Sequence, residues 1–338
     1  MKILIVSADR TLANGHPQNI GDAFLSDALA AALRATGADV RIADFGDGER
    51  VASGERRVRL GGIRALVRAI RGADAVVFGG GTLLADDQPE RPFAGLPRLA
   101  LVVATVARLT GKRFVIFGVG IDPISRRRAR LAVAGAIRAA RVWVRDPASA
   151  ERGEQFARIE LAVCGDVSLL EAEAVRKFAT PIAERSGLVL AFNRREAALL
   201  TVADVEAFRE RFGTVSFVSM DQGSDADDLA LTDAVRAELT ILDRAQSWPG
   251  VLEVIGSAQA VVASRMHAMY MGVMVDTPVV AVGSAAKVVA FVDEFGVTSA
   301  PSPSAAREAT GAFDPGRVDA GLNRVRSSLK EASAWLSH

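Results

Sequence analysis

The stretch Ala258-Gln259-Ala260-Val261-Val262-Ala263-Ser264-Arg265-Met266-His267 decides how this chain is read. Its first six residues have the small and β-branched composition of a buried strand, and Ala268 to Val275 continues as a helix. A strand that runs directly into a helix is half of a parallel βαβ unit. Arg265 and His267 then stand at the carboxyl edge of the sheet, where open α/β sheets bind ligands. Arginine can hold phosphate or carboxylate through two parallel hydrogen bonds, and histidine titrates near neutrality and can move a proton. The chain has three histidines, one of them the terminal His338, so His267 is a scarce residue in a chemically interesting place. A surface arginine beside a helix-capping histidine would give the same four letters, and the remaining sequence has to decide.

Working outward, short β-branched runs alternate with helical patterns. Strands are expected at Lys2 to Ser7, Ala38 to Ala43, Ala73 to Phe78, Arg113 to Phe117 and Arg141 to Val144. Between them lie helices over Gly21 to Thr36, Ile63 to Ile70, Leu96 to Leu109 and Arg126 to Ala139. Glu171 to Ser186 is charged, contains Pro181 and has little strand character, so it reads as a linker. Alternation then restarts with strands Gly187 to Phe192 and Val215 to Ser219 and helices Ala203 to Phe212 and Asp227 to Leu242. The strand ending at Ala263, the helix from His267, the strand Pro278 to Val282 and the helix Ala286 to Phe295 follow, and Val318 to Trp335 is a last helix. This order implies parallel strands joined by crossover helices. The expected architecture is α/β, with two Rossmann-like doubly wound parallel-sheet domains facing a cleft. Their expected bounds are 1–170 and 187–312, with the linker at 171–186 and a terminal helix at 313–338 that can cross back.

Composition narrows the function. The 338 residues are half hydrophobic, and 41 Lys plus Arg balance 40 Asp plus Glu, so no nucleic-acid partner is expected. The single Cys164 excludes an intrachain disulfide and a cysteine zinc cage, which fits a reducing compartment. No run of ~20 uncharged apolar residues offers a membrane span, and the first residues read as a buried strand rather than a signal peptide. A cytoplasmic protein is expected; peripheral attachment to a membrane and self-association are both compatible with this reading.

Several loops at strand ends carry chemical content. Asn19-Ile20-Gly21-Asp22 precedes the first helix, where Asp22 could serve as a cap. Gly79-Gly80-Gly81-Thr82 would let a backbone approach a ligand, or would simply turn. Val144-Arg145-Asp146-Pro147 puts Asp146 at an N-cap and Pro147 at the first helical position, which explains both but leaves Arg145 without a structural reason. The run Arg126-Arg127-Arg128 with Arg130 reads as a solvated helix face. Walker, Gly-x-Gly-x-x-Gly and Gly-x-Ser-x-Gly fingerprints are missing, and no spacing suits a metal site.

Taken in order, these loops resemble the polysaccharide pyruvyl transferase family. The pieces are Asn19 to Asp22, Gly79-Gly80-Gly81-Thr82-Leu83-Leu84-Ala85-Asp86, Gly118-Val119-Gly120 and Val144 to Ser149. They continue with Gly165-Asp166, Ser264 to Ala268, and Pro278 through Lys287 to Phe291. The family often has a fourth glycine where Thr82 stands and a tyrosine shortly before the matched lysine, where this chain has Gly283-Ser284-Ala285-Ala286. An aromatic-glycine approach to the Asn19 loop is also replaced, by Asn14-Gly15-His16-Pro17-Gln18.

The resemblance implies a fold like that of GT-B glycosyltransferases. It implies transfer of a pyruvyl group from phosphoenolpyruvate to two hydroxyls of a cell-surface glycan sugar or its precursor, forming a cyclic ketal. The donor is a substrate, and no cofactor is implied; the acceptor is a saccharide, and a lipid-linked one fits. On this reading His267 and Arg265 are catalytic. Asn19, Gly21, Asp22, Gly79, Gly80, Gly81, Asp86, Arg145 and Lys287 contact substrate, the N-terminal domain on the acceptor side and the C-terminal domain on the phosphoenolpyruvate side. Phosphoenolpyruvate carries two anionic groups, which explains the cations, and protonation of its methylene carbon calls for an acid such as histidine. Two other readings stand beside this one: a GT-B glycosyltransferase using a nucleotide sugar, and a non-catalytic sugar- or anion-binding protein. Release of nucleotide rather than incorporation of pyruvate would mark the first of these.

Overall fold

The computed structural model describes residues 1–51, 55, 57–81, 84–86, 95–222, 230–242 and 247–337. They fall into two compact units. One comprises Met1–Gly15, Asp22–Leu170 and Gly321–His338, and the other His16–Gly21 and Glu171–Ala320.

The first unit opens with β1 (Lys2–Val6), whose four residues after Lys2 are all buried. An apolar run of this kind, without alternation, belongs to a parallel sheet covered on both faces. Helix α1 (Ile20–Ala35) leads to β2 (Asp39–Asp44) and β3 (Arg57–Arg59), and α2 (Ile63–Gly72) leads to β4 (Ala75–Gly79). Then come α3 (Leu96–Leu109), β5 (Arg113–Val119), α4 (Arg127–Arg138), β6 (Arg141–Val144), α5 (Pro147–Ala157) and β7 (Ala162–Val163). The strands are parallel in the order β3-β2-β1-β4-β5-β6-β7, so the winding direction reverses between β1 and β4. The cap expected at Asp146 is present: its carboxylate accepts the Ser149 amide at 2.7 Å, with Pro147 opening α5. Such a cap stabilises a helix by ~1 kcal/mol.

The expected linker, Glu171 to Ser186, is a series of short helical turns that includes α6 (Ala172–Val175), and it groups with the second unit. Arg185 is buried there and donates to the carbonyls of Thr180, Val275 and Asp276. The second sheet begins with β8 (Leu188–Ala191), followed by α7 (Arg194–Ala197), α8 (Val202–Phe212) and β9 (Val215–Phe217). Next are α9 (Asp233–Ala237), β10 (Thr240–Ile241), α10 (Trp248–Gly256), β11 (Ala260–Ala263), α11 (Met266–Met274), β12 (Val279–Val282), α12 (Ala286–Phe295) and β13 (Thr298–Ala300). Their order is β10-β9-β8-β11-β12-β13, again all parallel, with the reversal between β8 and β11. Phe192, Phe208 and Phe217 fill one face, each 0% exposed, and each contributes roughly 1.5–3 kcal/mol by leaving water. A last helix, α13 (Pro315–Ser337), counts with the second unit up to Ala320 and with the first from Gly321.

One expected helix is corrected. Asp227 to Leu242 is not continuous: residues 223–229 lie outside the described residues, and α9 is only the five residues from Asp233 to Ala237. Thr232 caps α9 by accepting the Val235 amide, and the β-branched pair Thr240-Ile241 then adds an edge strand to β9. The architecture is thus two parallel-sheet α/β domains, with β3, β7, β10 and β13 as edge strands and α10 added to what the sequence suggested.

Cys164 is fully buried and donates to the carbonyls of Val144 and Gly165, each at 3.3 Å. Burial pushes its thiol pKa up to about 12, so at pH 8 only about one thiol in 10,000 is ionised. A thiol-specific reagent at pH 8 is expected to leave the native protein unlabelled and to label the denatured chain once. Rapid labelling of the native state would contradict the packing around β6.

Candidate functional site

Ligands of doubly wound sheets bind at the carboxyl edge where the winding reverses, because the two loops there diverge. In the second unit that point lies between β8 and β11. The loop ends are pinned together: the Ala191 carbonyl accepts the amides of both Ser264 and Arg265 at 3.1 Å, and the Ser264 hydroxyl accepts the Asn193 amide at 2.9 Å. Helix α11 starts at once with Met266, so Arg265 is its N-cap residue and His267 sits in its first turn. No side chain caps α11 or α12, whereas Asn193, Thr201 and Thr232 cap α7, α8 and α9. Lys287 is the second residue of α12. Arg265, His267 and Lys287 therefore stand at the starts of two helices that follow the neighbouring strands β11 and β12, where backbone amides favour anions.

The loop carrying Asn19 joins this edge. Residues 18–20 run antiparallel to 220–222, with the Ile20 amide donating to the Met220 carbonyl at 2.8 Å and Gln222 to Gln18 at 2.7 Å. Asn19 Nδ2 reaches the Asp221 carboxylate at 3.4 Å, and the same carboxylate lies 3.6 Å from the Arg265 guanidinium. Asp221 is only 6% exposed, so this ion pair is shielded and orients Arg265. The His267 side chain packs against Gly21, where a Cβ would come within 2.2 Å of its Nδ1. The ring of Tyr270, one helical turn on, lies 6.4 Å from that of His267 between centroids. Tyr270 is itself held edge-on by Phe291 and Phe295 of α12.

The remaining expected residues have other surroundings. Asp22 is the third residue of α1 rather than its cap, because the helix begins at Ile20. Gly79, Gly80 and Gly81 close β4 at the reversal point of the first sheet. Gly80 and Gly81 have φ near +79° and +78°, and the latter faces the Asp22 carboxylate. Any side chain at these two positions is strained, so Gly80 and Gly81 have a backbone reason whether or not they meet a ligand. Thr82 and Leu83 lie outside the described residues. Asp86 accepts the amides of Ser125 at 2.7 Å and Arg126 at 3.2 Å, together with the Ser125 hydroxyl. Burial pushes its carboxyl up, but these hydrogen bonds outweigh that and hold its pKa below the ordinary value. Asp86 thus fastens the segment leading into α4. Arg145 is 5% exposed, with its guanidinium over Gly120 and its Nε donating to Asp146 at 3.1 Å.

Two residues escaped the sequence reading. Asp221 follows β9 with no motif around it. Glu196, in α7, is 7% exposed and packs its Oε1 against Gly283 beyond β12, so its side chain crosses the end of β11. Its Oε2 is buried and has no hydrogen-bond partner among the described residues. The one signal in the sequence was its place, five residues past β8. Among the described residues no group of three or more His, Cys, Asp or Glu side chains could hold a metal, and no helix is long and apolar enough to cross a membrane.

Two parallel-sheet α/β domains of this topology have the GT-B fold. The solved structures the chain resembles agree on the fold. UDP-GlcNAc 2-epimerase from Methanocaldococcus jannaschii superposes with a TM-score of 0.59 at 11% identity, covering 98% of this chain and 99% of that one. The Rickettsia bellii UDP-N-acetylglucosamine 2-epimerase gives 0.59 at 10% identity over 100% and 97%. The wall teichoic acid polymerase TagF gives 0.57 at 9% over 99% and 88%. Curated proteins give no significant match. The family model of polysaccharide pyruvyl transferase matches residues 19–285, and the chain belongs to that family of enzymes.

Gly21 provides a direct test of the geometry. It is helical, so alanine suits its backbone, yet the added methyl would occupy the imidazole's place. Gly21→Ala should fold normally and displace His267, visible as a changed His267 ring resonance in NMR spectra. An unshifted resonance would show that the two residues do not touch.

Proposed function

We propose that this enzyme transfers the pyruvyl group of phosphoenolpyruvate to two hydroxyls of one sugar in a glycan or its precursor, forming a pyruvate ketal. The observation that carries this reading is the convergence of Arg265, Lys287, His267 and two uncapped helix N-termini at one sheet edge. Phosphoenolpyruvate has a phosphate and a carboxylate, and this edge offers a separate cationic element for each. Asp221 orients the Arg265 guanidinium so that its other N–H groups can grip one anion in a planar fork. Lys287 and the start of α12 take the second.

His267 protonates the methylene carbon, which makes the adjacent carbon electrophilic, and the first sugar hydroxyl attacks there as it loses its proton. The C–O bond to phosphate then breaks, phosphate leaves with that electron pair, and the second hydroxyl closes the ketal with loss of its own proton. Glu196, with an unpartnered carboxylate oxygen at the same edge, is the group suited to accept a hydroxyl proton. On this reading Asn19 hydrogen-bonds the acceptor. We place the reaction in the cytoplasm, where phosphoenolpyruvate is made, on an acceptor that can be lipid-linked.

Phosphate release from phosphoenolpyruvate, measured across a panel of glycan precursors, tests the reaction itself. Within it, His267→Gln should stay folded, keep its phosphoenolpyruvate affinity and lose at least ~100-fold in turnover. Arg265→Lys keeps the charge but not the fork, so its defect should fall on KM for phosphoenolpyruvate. Near-normal turnover in the first variant, or unchanged KM in the second, would remove that residue from the site. Release of a nucleotide from a sugar nucleotide by the wild type would replace the reaction.

The role given to Glu196 makes a separate prediction. Glu196→Gln preserves shape and burial but cannot take a proton at neutral pH. Turnover should fall ~100-fold or more with KM for phosphoenolpyruvate unchanged, and the acidic limb of the pH–rate profile should disappear. A retained acidic limb would assign that limb to another group.

A further inference from the structure

Helix α2 and the first strands of the first unit line an open cavity of about 300 Å³, none of whose residues belongs to the site described above. Its origin is legible in the residues. Leu66 and Ile70 of α2 pack into the core with Leu4, but the stripe facing the cavity, Ala65 and Ala69, is too small to close it. Arg41 lies opposite Leu4 in register, on a sheet face otherwise given to Leu4, Val6 and Ala43. An arginine thus stands where the core pattern calls for an apolar side chain.

Charge at this cavity is one-sided. Lys2, Arg41, Arg59 and Arg68 line it against the single carboxylate of Asp39. Among the described residues the Arg41, Arg59 and Arg68 guanidinium groups form no ion pair or hydrogen bond, whereas nearby Arg50 and Arg57 are both bound by Asp9. Arg64 and Arg71 continue the stripe of Arg68 along the exposed side of α2. The whole chain carries a net charge of only +1, so this is a local accumulation.

We infer that this face binds the anionic surface of a phospholipid leaflet, with one phosphate headgroup held by Arg41, Arg59 and Arg68 and its carbon stem against the apolar wall. A cationic rim around an apolar hollow complements an amphiphilic anion. Free phosphate offers the charge without the stem. The inference does not depend on which reaction the enzyme catalyses.

Co-sedimentation of the full chain with vesicles tests it. Vesicles of about one-third phosphatidylglycerol in phosphatidylcholine should retain the protein, pure phosphatidylcholine should not, and salt should release it. The variant Arg41→Gln/Arg59→Gln/Arg68→Gln removes exposed charges only and should bind about 100-fold more weakly. Arg127→Gln/Arg128→Gln on α4, an equally basic exposed face, should bind like the wild type. Equal retention on neutral vesicles, an equal loss in the α4 variant, or release by ~10 mM inorganic phosphate at constant ionic strength would overturn the proposal.

Discussion

Two backbone hydrogen bonds, between Ile20 and Met220 and between Gln222 and Gln18, are the constraint on which the candidate site depends. They lay residues 16–21 along the loop after β9, so that this short segment packs as part of the second unit although its neighbours on both sides belong to the first. That placement brings Asn19 to Asp221 and, through its carboxylate, to Arg265. It also sets the Cα of Gly21 against the imidazole of His267. The ring thereby meets a glycine, and Tyr270 of the Tyr270–Phe291–Phe295 cluster lies 6.4 Å from it between centroids. Packing of this kind limits the orientations open to the imidazole.

The charges at this edge are arranged with some tension. Arg265 is partly neutralised by a carboxylate that water hardly reaches, and the nearby Glu196 is buried with one oxygen unpartnered among the described residues. Leaving a polar atom buried and unsatisfied costs a few kcal/mol, a cost that a purely structural glutamate would avoid by pointing outward. Glu196 instead bridges from the loop after β8 to the glycine after β12, over the start of α11. Stability is given up where the winding of the sheet reverses, which is where a doubly wound fold keeps its chemistry.

Much of this was legible in the sequence, for identifiable reasons. Strands such as Lys2–Val6 and Ala260–Ala263 are buried on both faces, so they appear as apolar runs that no solvated element would keep. Arg265 and His267 were found because strand and helix adjoin there without a loop. The edge strand β3 was hidden because Arg57-Val58-Arg59 has no apolar pattern. Its arginine is drawn in by Asp9 and Asp27 at 2.7 and 2.8 Å, contacts with residues far away in the chain. Asp221 was hidden for the same reason, since its importance comes from pairing with Asn19, 202 positions earlier. Asp22 was misread as a cap because helix α1 starts two residues sooner, where the pairing of Ile20 fixes the chain direction. Sequence periodicity reports burial, and long-range polar contacts leave no periodic trace.

The likeness to UDP-GlcNAc 2-epimerases and TagF, at 9–11% identity over nearly the whole chain, separates what the scaffold demands from what the chemistry demands. Strand order, crossover helices and glycines with positive φ follow from building two parallel sheets, and they constrain many sequences to the same shape. The side chains presented at the sheet edge are free to differ, because loops there contribute little to either core. An uncapped helix N-terminus costs stability that α7, α8 and α9 recover with Asn193, Thr201 and Thr232. Helices α11 and α12 forgo that recovery at the same edge that carries Arg265, His267 and Lys287. Capping side chains would occupy the amides that an anion needs. Helices α2, α3, α4 and α10 also lack a side-chain cap, so what sets α11 and α12 apart is the side chains at their first turns, Arg265, His267 and Lys287, rather than the missing cap alone.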